Sequence, residues 1–466
     1  MQREYLPDSA QYVVKEVSEV SRNQFKLETV SSDTAGPNRI ITFNLPENAI
    51  IDLKSLKFFA DVACSGAGAG ADQVFGKLPQ HASSLIAGLE VYINGQQVQN
   101  RASEYFTIAQ AERLAKSNID KDNSTDRSLS HSYITGDDAD DDETVCISEW
   151  VGFLSDASTR YVNTGILGQI QIRLSLSGNF ALVPKQKSVD LGLPFTSGAA
   201  GTNAQSISYS MSKMYFTCDT ISLSPMYNEA LRSRLMNGGL ELNYREFYSF
   251  QLDGIQAGNS IGSSTRFSLS SGCINRLTGI YRDASYTEIK RSSKLPNANG
   301  VSAYTSNALK FRSYAGSGVA GQPATKKSAN TTWKFLVNNV SYPQFNASWM
   351  DLLGNVAYGV DKVDQDNSGT LITSKESYNL GKFLAPCLLE MPTGFGVAAM
   401  SGYNSRGINT QMVMQCAAQL IPLNGQPTAT GGDDGDLNTG AVSSMVIADT
   451  TAKLMIESGR SLAVQF

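Results

Sequence analysis

The sequence predicts an all-β protein: two tandem jelly-roll β-sandwich domains with a few short helices in the connecting loops. Three observations predict it. Apolar residues recur with period two in many short runs, the pattern of strands that bury one face. Clusters of Ser, Asn, Asp and Gly separate these runs, and the chain holds 40 glycines, so turns are frequent. At 466 residues the chain exceeds what one core usually holds, and its halves repeat a similar unit in the same order.

In chain order, residues 1–37 read as an extended N-terminal arm with one strand-like run, YVVKEVSEV, ending in the turn-rich SSDTAGPN. The first domain is expected over 38–224. RIITFNL alternates, and AIIDLKSLKFFADVAC is long and rich in β-branched and aromatic residues, so both read as strands. SSLIAGLEVYINGQQVQ then alternates on both sides of Asn94-Gly95. That pair is the strongest short-range hairpin signal, because both residues tolerate positive φ. NRASEYFTIAQAERLAK follows, with Asn100 or Ser103 as N-cap and no Gly or Pro inside, which predicts a helix of about four turns. Strand signals resume at TVCISEWVGFLS, ILGQIQIRLSLSG and SISYSMSKMYFTCDTISL.

Pro225 opens MYNEALRSRLMNGG, and Pro in the first turn with Gly past the end predicts a linking helix over 225–238. The second domain is expected over 225–466. Its strand-like runs include ELNYREFYSFQL, TRFSLSS, INRLTGIY, TWKFLVNNVSYPQ, GKFLAPCLLEMP, GINTQMVMQCAAQL, SSMVIADTT and SGRSLAVQF. Residues 284–330, dominated by Ser, Ala, Gly, Asn and Lys, read as a long surface excursion.

VYINGQQVQNRASEYF lies beside FLVNNVSYPQFNASWM at an offset of 244 residues, aligning Asn94 with Asn338. Phe153 aligns with Phe383 at an offset of 230, and ILGQIQIRLSL then pairs with GINTQMVMQCAAQL. Two matches in one order imply two similar domains with different loop lengths. Eight short strands need only about half of such a domain, so the surplus is loop.

Composition narrows the function classes. Apolar residues are 41% and aromatics 9%, enough for packed cores. Charged residues are only 17%, against a typical ~25%, which suits a surface that packs against copies of itself. The net charge is -5, and the first thirty residues hold four bases against five acids, so direct sequence-specific nucleic-acid binding is not expected. No apolar run reaches the length of a membrane span, and MQREYLPDSAQ lacks the apolar core of a secretion signal. Six scattered cysteines without a C-x-x-C pair read as reduced core residues.

Catalytic motifs are missing from the pattern. The two histidines, His81 and His131, sit in polar, loop-like stretches, and no G-x-S-x-G, H-E-x-x-H or P-loop spacing occurs. In DQDNSGTLITSKE, Asp364, Asp366, Ser368 and Gly369 occupy calcium-loop positions, but Lys375 stands where a bidentate Glu belongs. Asp364 and Asp366 are therefore weak metal candidates, and an acidic turn is the simpler reading. No cofactor is expected. Asp137, Asp138, Asp140, Asp141, Asp142 and Glu143 read as a solvated, self-repelling loop rather than a cation trap. Asn-x-Ser/Thr occurs at Asn123, Asn330, Asn339 and Asn346, the last two already assigned to turn and helix-cap roles.

The tandem β-halves, the SSLI and LEVYINGQ hairpin with its helix, and the closing SGRSLAVQF together resemble the double jelly-roll major capsid proteins of polinton-like viruses and virophages. The likeness runs from about Arg39 to Phe466 and rests on soft motifs; the chain is short for that family. It implies homotrimeric, pseudo-hexagonal capsomers in an icosahedral virion shell assembled inside a host cell. It also implies long loops on the outer face and an N-terminal arm reaching neighbouring capsomers. Penton and minor capsid proteins would be further partners, with an internal membrane left open. The alternative is a secreted-type carbohydrate-binding or glycoside-hydrolysing tandem β-sandwich protein.

Overall fold

Eight main strands in each half pair in one and the same order. The structure is a computed structural model that describes residues 21–70, 73–79, 81–99, 104–115, 139–186, 205–222, 239–255, 263–283, 332–347, 383–390, 402–407, 412–417, 442–457 and 462–465. Shorter pieces at 229, 233, 235–236, 286–287, 289, 311, 351, 363–365 and 371–373 are also described.

In the first half one sheet runs β1 (Ser21–Glu28), β11 (Ser208–Ser222), β3 (Ile50–Ser65), β7 (Asp142–Ile147), with β8 (Tyr161–Asn163) also on β3. The facing sheet runs β2 (Ile40–Asn44), β9 (Ile170–Leu176), β5 (Ile86–Ile93), β6 (Gln96–Gln99). In the second half the sheets are β12 (Leu240–Ile255), β21 (Val442–Ile456), β14 (Ile274–Asp283), β19 (Ala385–Leu388) and β13 (Ser263–Phe267), β20 (Met412–Ala417), β15 (Thr332–Val337), β16 (Val340–Ala347). Numbering the eight main strands of either half in chain order gives 1-8-3-6 in one sheet and 2-7-4-5 in the other. That order is the jelly roll, and it occurs twice. Small additions decorate it: β4 (Val74–Lys77) pairs with β10 (Val183–Gln186), β17 (Val363–Gln365) with β18 (Leu371–Thr373), and β22 (Leu462–Gln465) with β21.

The Asn94-Gly95 turn joins β5 to β6 with φ of 49° and 81°, and Asn338-Asn339 joins β15 to β16 with φ of 49° and 65°. Both are the positive-φ hairpin turns that the sequence predicts, at equivalent places in the two jelly rolls. The aligned β9 and β20 are likewise the seventh main strand of each half. The Phe153–Phe383 match is not equivalent. Both rings are fully buried, but Phe153 follows the sixth strand of its domain whereas Phe383 precedes the sixth strand of its own. A short Phe-Leu motif marks burial, not topology.

Residues 21–28, which the sequence leaves inside the arm, form β1 and pair along their whole length with β11. SRNQFKLE carries too little apolar alternation to stand out, and its strand is fixed by the longer partner it lines. Most of the linking-helix stretch 225–238 lies outside the described residues, as do 1–20. Asn346 lies in β16, a strand position rather than the cap expected of it.

The first core gathers Phe43, Phe58 and Phe216, whose ring centroids lie 4.7 to 5.9 Å apart, with Trp150 at 5.5 Å from Phe216. The second packs Trp333 against Phe383 at 4.8 Å. Such pairs add roughly 0.5–1.5 kcal/mol each beyond the area they bury. Among the described residues five cysteines are free thiols, and Cys64, Cys218, Cys273 and Cys387 are buried. Burial pushes the Cys218 and Cys387 thiols up to about 12.

Candidate functional site

Two features stand out once the cores are assigned, a polar seam between the jelly rolls and a basic cleft on the first one. The seam exists because elements cross over. β12 and β21 hold 16 and 15 residues, a reach of about 50 Å and far beyond a common strand. Leu242, Tyr244, Ala452, Leu454 and Ile456 consequently join the first core, while Phe247 and Met445 to Ala448 join the second. Tyr244 donates its hydroxyl to the Val98 carbonyl at 2.7 Å, and its ring meets Phe153 edge-on at 5.3 Å. In the other direction, the helix after the first hairpin, α1 (Tyr105–Ala115), places Tyr105 and Ala109 in the first core and Ile108, Ala111 and Leu114 in the second. A helix apolar on both sides is a buried one.

Its polar residues face charged partners on the second domain. Arg282, fully buried on β14, donates to the Glu104 carboxylate and, at 3.1 Å, to the Thr107 hydroxyl. Its guanidinium lies 3.4 Å from the Tyr286 ring centroid, and the Tyr286 hydroxyl donates to the other Glu104 oxygen. Further along, Arg276 pairs with Glu112. Asp449 of β21, also buried, accepts from Asn275 at 3.3 Å and lies 3.3 Å from Arg245 and 3.9 Å from Arg276. Burial pushes the Asp449 carboxyl up to about 6, against the pull of Arg245 and Arg276, while the nearby Glu112 adds to the upward shift. A raised folded pKa means that the native state holds more protons than the unfolded chain between about pH 4 and 6. This contribution is therefore fully present below that window and is lost as pH rises through it. Asp449→Asn is expected to remove the effect, so the stability difference between the two proteins should change by about 2–3 kcal/mol between pH 4 and pH 7. Denaturant titrations at both pH values check this; a constant difference would refute it.

The cleft, of about 530 Å³, is lined by Arg22, Gln24, Lys54, Ser55, Lys57, Arg160 and Asp219. Two buried carboxylates orient its arginines. Arg22 binds Asp219 through Nε and Nη2, and Arg160 binds Asp52 through Nε at 2.9 and 3.0 Å and Nη2 at 2.6 Å. Sequence reading missed this site, since its residues come from four separate segments.

The residues singled out from sequence are scattered. His81 is buried beside a short 3-10 turn, a loop-packing residue, and His131 lies outside the described residues. Asp364 sits in β17 opposite Ile372, and Asp366 lies outside the described residues. Among the described residues no group of three or more His, Cys, Asp or Glu could hold a metal ion. The acidic run departs from the solvated loop expected of it. Asp137 and Asp138 are not described, but Asp140 accepts from the Gly76 amide at 2.8 Å, and Asp141 is buried against Lys77 at 3.0 Å. Asp142 and Glu143 open β7.

Strand order and domain seam together define a double jelly roll, two sandwiches fused into one block. Solved structures share that fold over 94–96% of the chain. The crystal structure of PBCV-1 VP54, fitted into a cryo-EM reconstruction of the virophage Sputnik, is similar at 11% identity and a TM-score of 0.59, over 96% of this chain and 97% of that one. The quasi-atomic model of the PBCV-1 virus capsid gives 12%, 0.60, 96% and 97%. The Faustovirus major capsid protein gives 10% identity and 0.53, over 94% and 91%. No family model and no curated protein matches the sequence.

Proposed function

We propose that this chain is a viral major capsid protein, the structural subunit of an icosahedral shell, acting as a homotrimer with a pseudo-hexagonal outline. The observation that carries the reading is the double strand order 1-8-3-6 and 2-7-4-5, together with similarity over 94% of this chain to a fold that the Faustovirus major capsid protein also has. Two jelly rolls per chain give three chains six similar wedges, the symmetry a hexagonal lattice needs. The division at 224/225, the N-terminal arm, and penton and minor capsid partners belong to the same proposal, with β1 moving the start of the first domain from 38 back to Ser21.

The chain's surface supports self-association. Val340 and Phe345 on the edge strand β16, Leu388 on β19 and Phe25 on the edge strand β1 are exposed. Open sheet edges bearing large apolar side chains are surfaces that another chain covers. This reading assigns the chain shape and burial, with no catalytic step. Light scattering is expected to give three times the chain mass, and negative-stain microscopy pseudo-hexagonal particles. A strict monomer at high concentration would overturn it.

A further inference from the structure

We propose that the cleft on the first jelly roll binds a small polyanion carrying phosphate groups. Its shape comes from a break in strand pairing. Asp52 faces Asp219 and Lys57 faces Thr217, so residues 53–56 of β3 stand opposite a single residue of β11. Leu53 and Leu56 turn into the core, which leaves Lys54 exposed and Ser55 at the cleft wall. The bulge is held from several sides. Trp150 Nε1 donates to the Leu56 carbonyl at 2.9 Å, the Leu53 amide to the Arg160 carbonyl at 3.0 Å, and the Asp219 amide to Ser55 Oγ at 2.8 Å. Such bulges re-aim side chains next to binding sites.

Charge supplies the second argument. Four cations, Arg22, Lys54, Lys57 and Arg160, meet in the cleft of a chain whose net charge is -5. The two carboxylates nearby are taken up by the two arginines, and Lys54 and Lys57 make no ion pair among the described residues. Two positive charges are therefore left over. Each guanidinium uses Nε and Nη2 on its buried carboxylate, and among the described residues Nη1 makes no hydrogen bond, which leaves it to donate to a ligand. Because the carboxylates already hold the arginines, little side-chain entropy remains to be lost on binding.

Rigid guanidinium forks beside mobile ammonium groups suit phosphate, whose tetrahedral oxygens accept from several directions. The volume of about 530 Å³ exceeds one phosphate and lies in the range of small-ligand sites. Nucleic acid fits worse, since a duplex-binding surface neutralises roughly 6–10 phosphates, more than this patch can.

The test uses the full chain and inorganic tripolyphosphate by titration calorimetry at low salt. Saturable binding at one site per chain is expected, weakened at least tenfold in Lys54→Ala/Lys57→Ala, whose exposed side chains leave the core intact. Circular dichroism confirms folding of the variant. Absence of saturable heat at millimolar ligand, or equal affinity in the variant, would overturn the proposal; so would a glutamate hexapeptide that binds as tightly as tripolyphosphate. Vesicles of phosphatidylcholine with and without phosphatidic acid separate the sources of the phosphate. Variant-sensitive sedimentation with phosphatidic acid assigns a lipid headgroup, and tripolyphosphate binding without sedimentation assigns a soluble ligand.

Discussion

Arg282→Leu is expected to destabilise the protein by about 3–5 kcal/mol, the cost of breaking a buried ion pair by removing one partner. The magnitude follows from what remains. Glu104, on the first domain, would keep a mostly buried carboxylate without its cation, with the Tyr286 and Thr107 hydroxyls left to satisfy it. Arg282→Lys keeps the charge but loses the fork and the stacking on Tyr286, so it should fall between wild type and leucine. Arg282→Leu combined with Glu104→Leu removes both charges and should recover most of the loss, because apolar replacements of a buried pair are often neutral. Urea titration of these proteins together with Glu104→Leu closes the double-mutant cycle and gives the coupling directly. If the single variants cost less than 1 kcal/mol, the seam is solvated in solution and does not lock the jelly rolls together.

That seam also marks how far the sequence can be read. Period-two runs and the Asn94-Gly95 and Asn338-Asn339 turns are local signals, and they place the hairpins correctly in both domains. α1 is legible as a helix from its uninterrupted length, but its role is not. Ile108, Ala111 and Leu114 serve one core and Tyr105 and Ala109 the other, which is a fact about two domains meeting. β1 is hidden for a related reason. An exposed edge strand needs no apolar face, so SRNQFKLE reads like the arm before it. The cleft was out of reach because Arg22, Lys54, Arg160 and Asp219 converge only when β1, β3 and β11 pair. No spacing along the chain encodes it.

Asp141→Asn should be nearly as costly as the loss of Arg282, again about 3–5 kcal/mol, and it tests the largest departure from the sequence reading. Six acids in seven positions look like a stretch that repels itself into solvent. What reverses this is Lys77, almost completely buried on β4. An ammonium there needs a carboxylate, and Asp141 supplies one oxygen at 3.0 Å while the other accepts from the Leu78 amide at 2.8 Å. The Asp141 backbone is held too, donating to the Gly76 carbonyl at 3.1 Å and accepting from the Cys64 amide at 2.8 Å. Four hydrogen bonds thus tie the entry of β7 to β3 and β4. Asparagine keeps one of the two acceptors and loses the charge, so the Lys77–Asp141 ion pair is lost and one of the two hydrogen bonds with it. Lys77→Met in the same chain should restore most of the stability, since a methionine of similar length removes the buried charge at a position that is almost completely buried. Amide exchange separates a local from a global effect: the Leu78 and Cys64 amides should lose protection in Asp141→Asn before β12 and β21 do. Uniform loss across both domains would mean that the pair stabilises the whole block, and unchanged protection would mean that the pair is not buried.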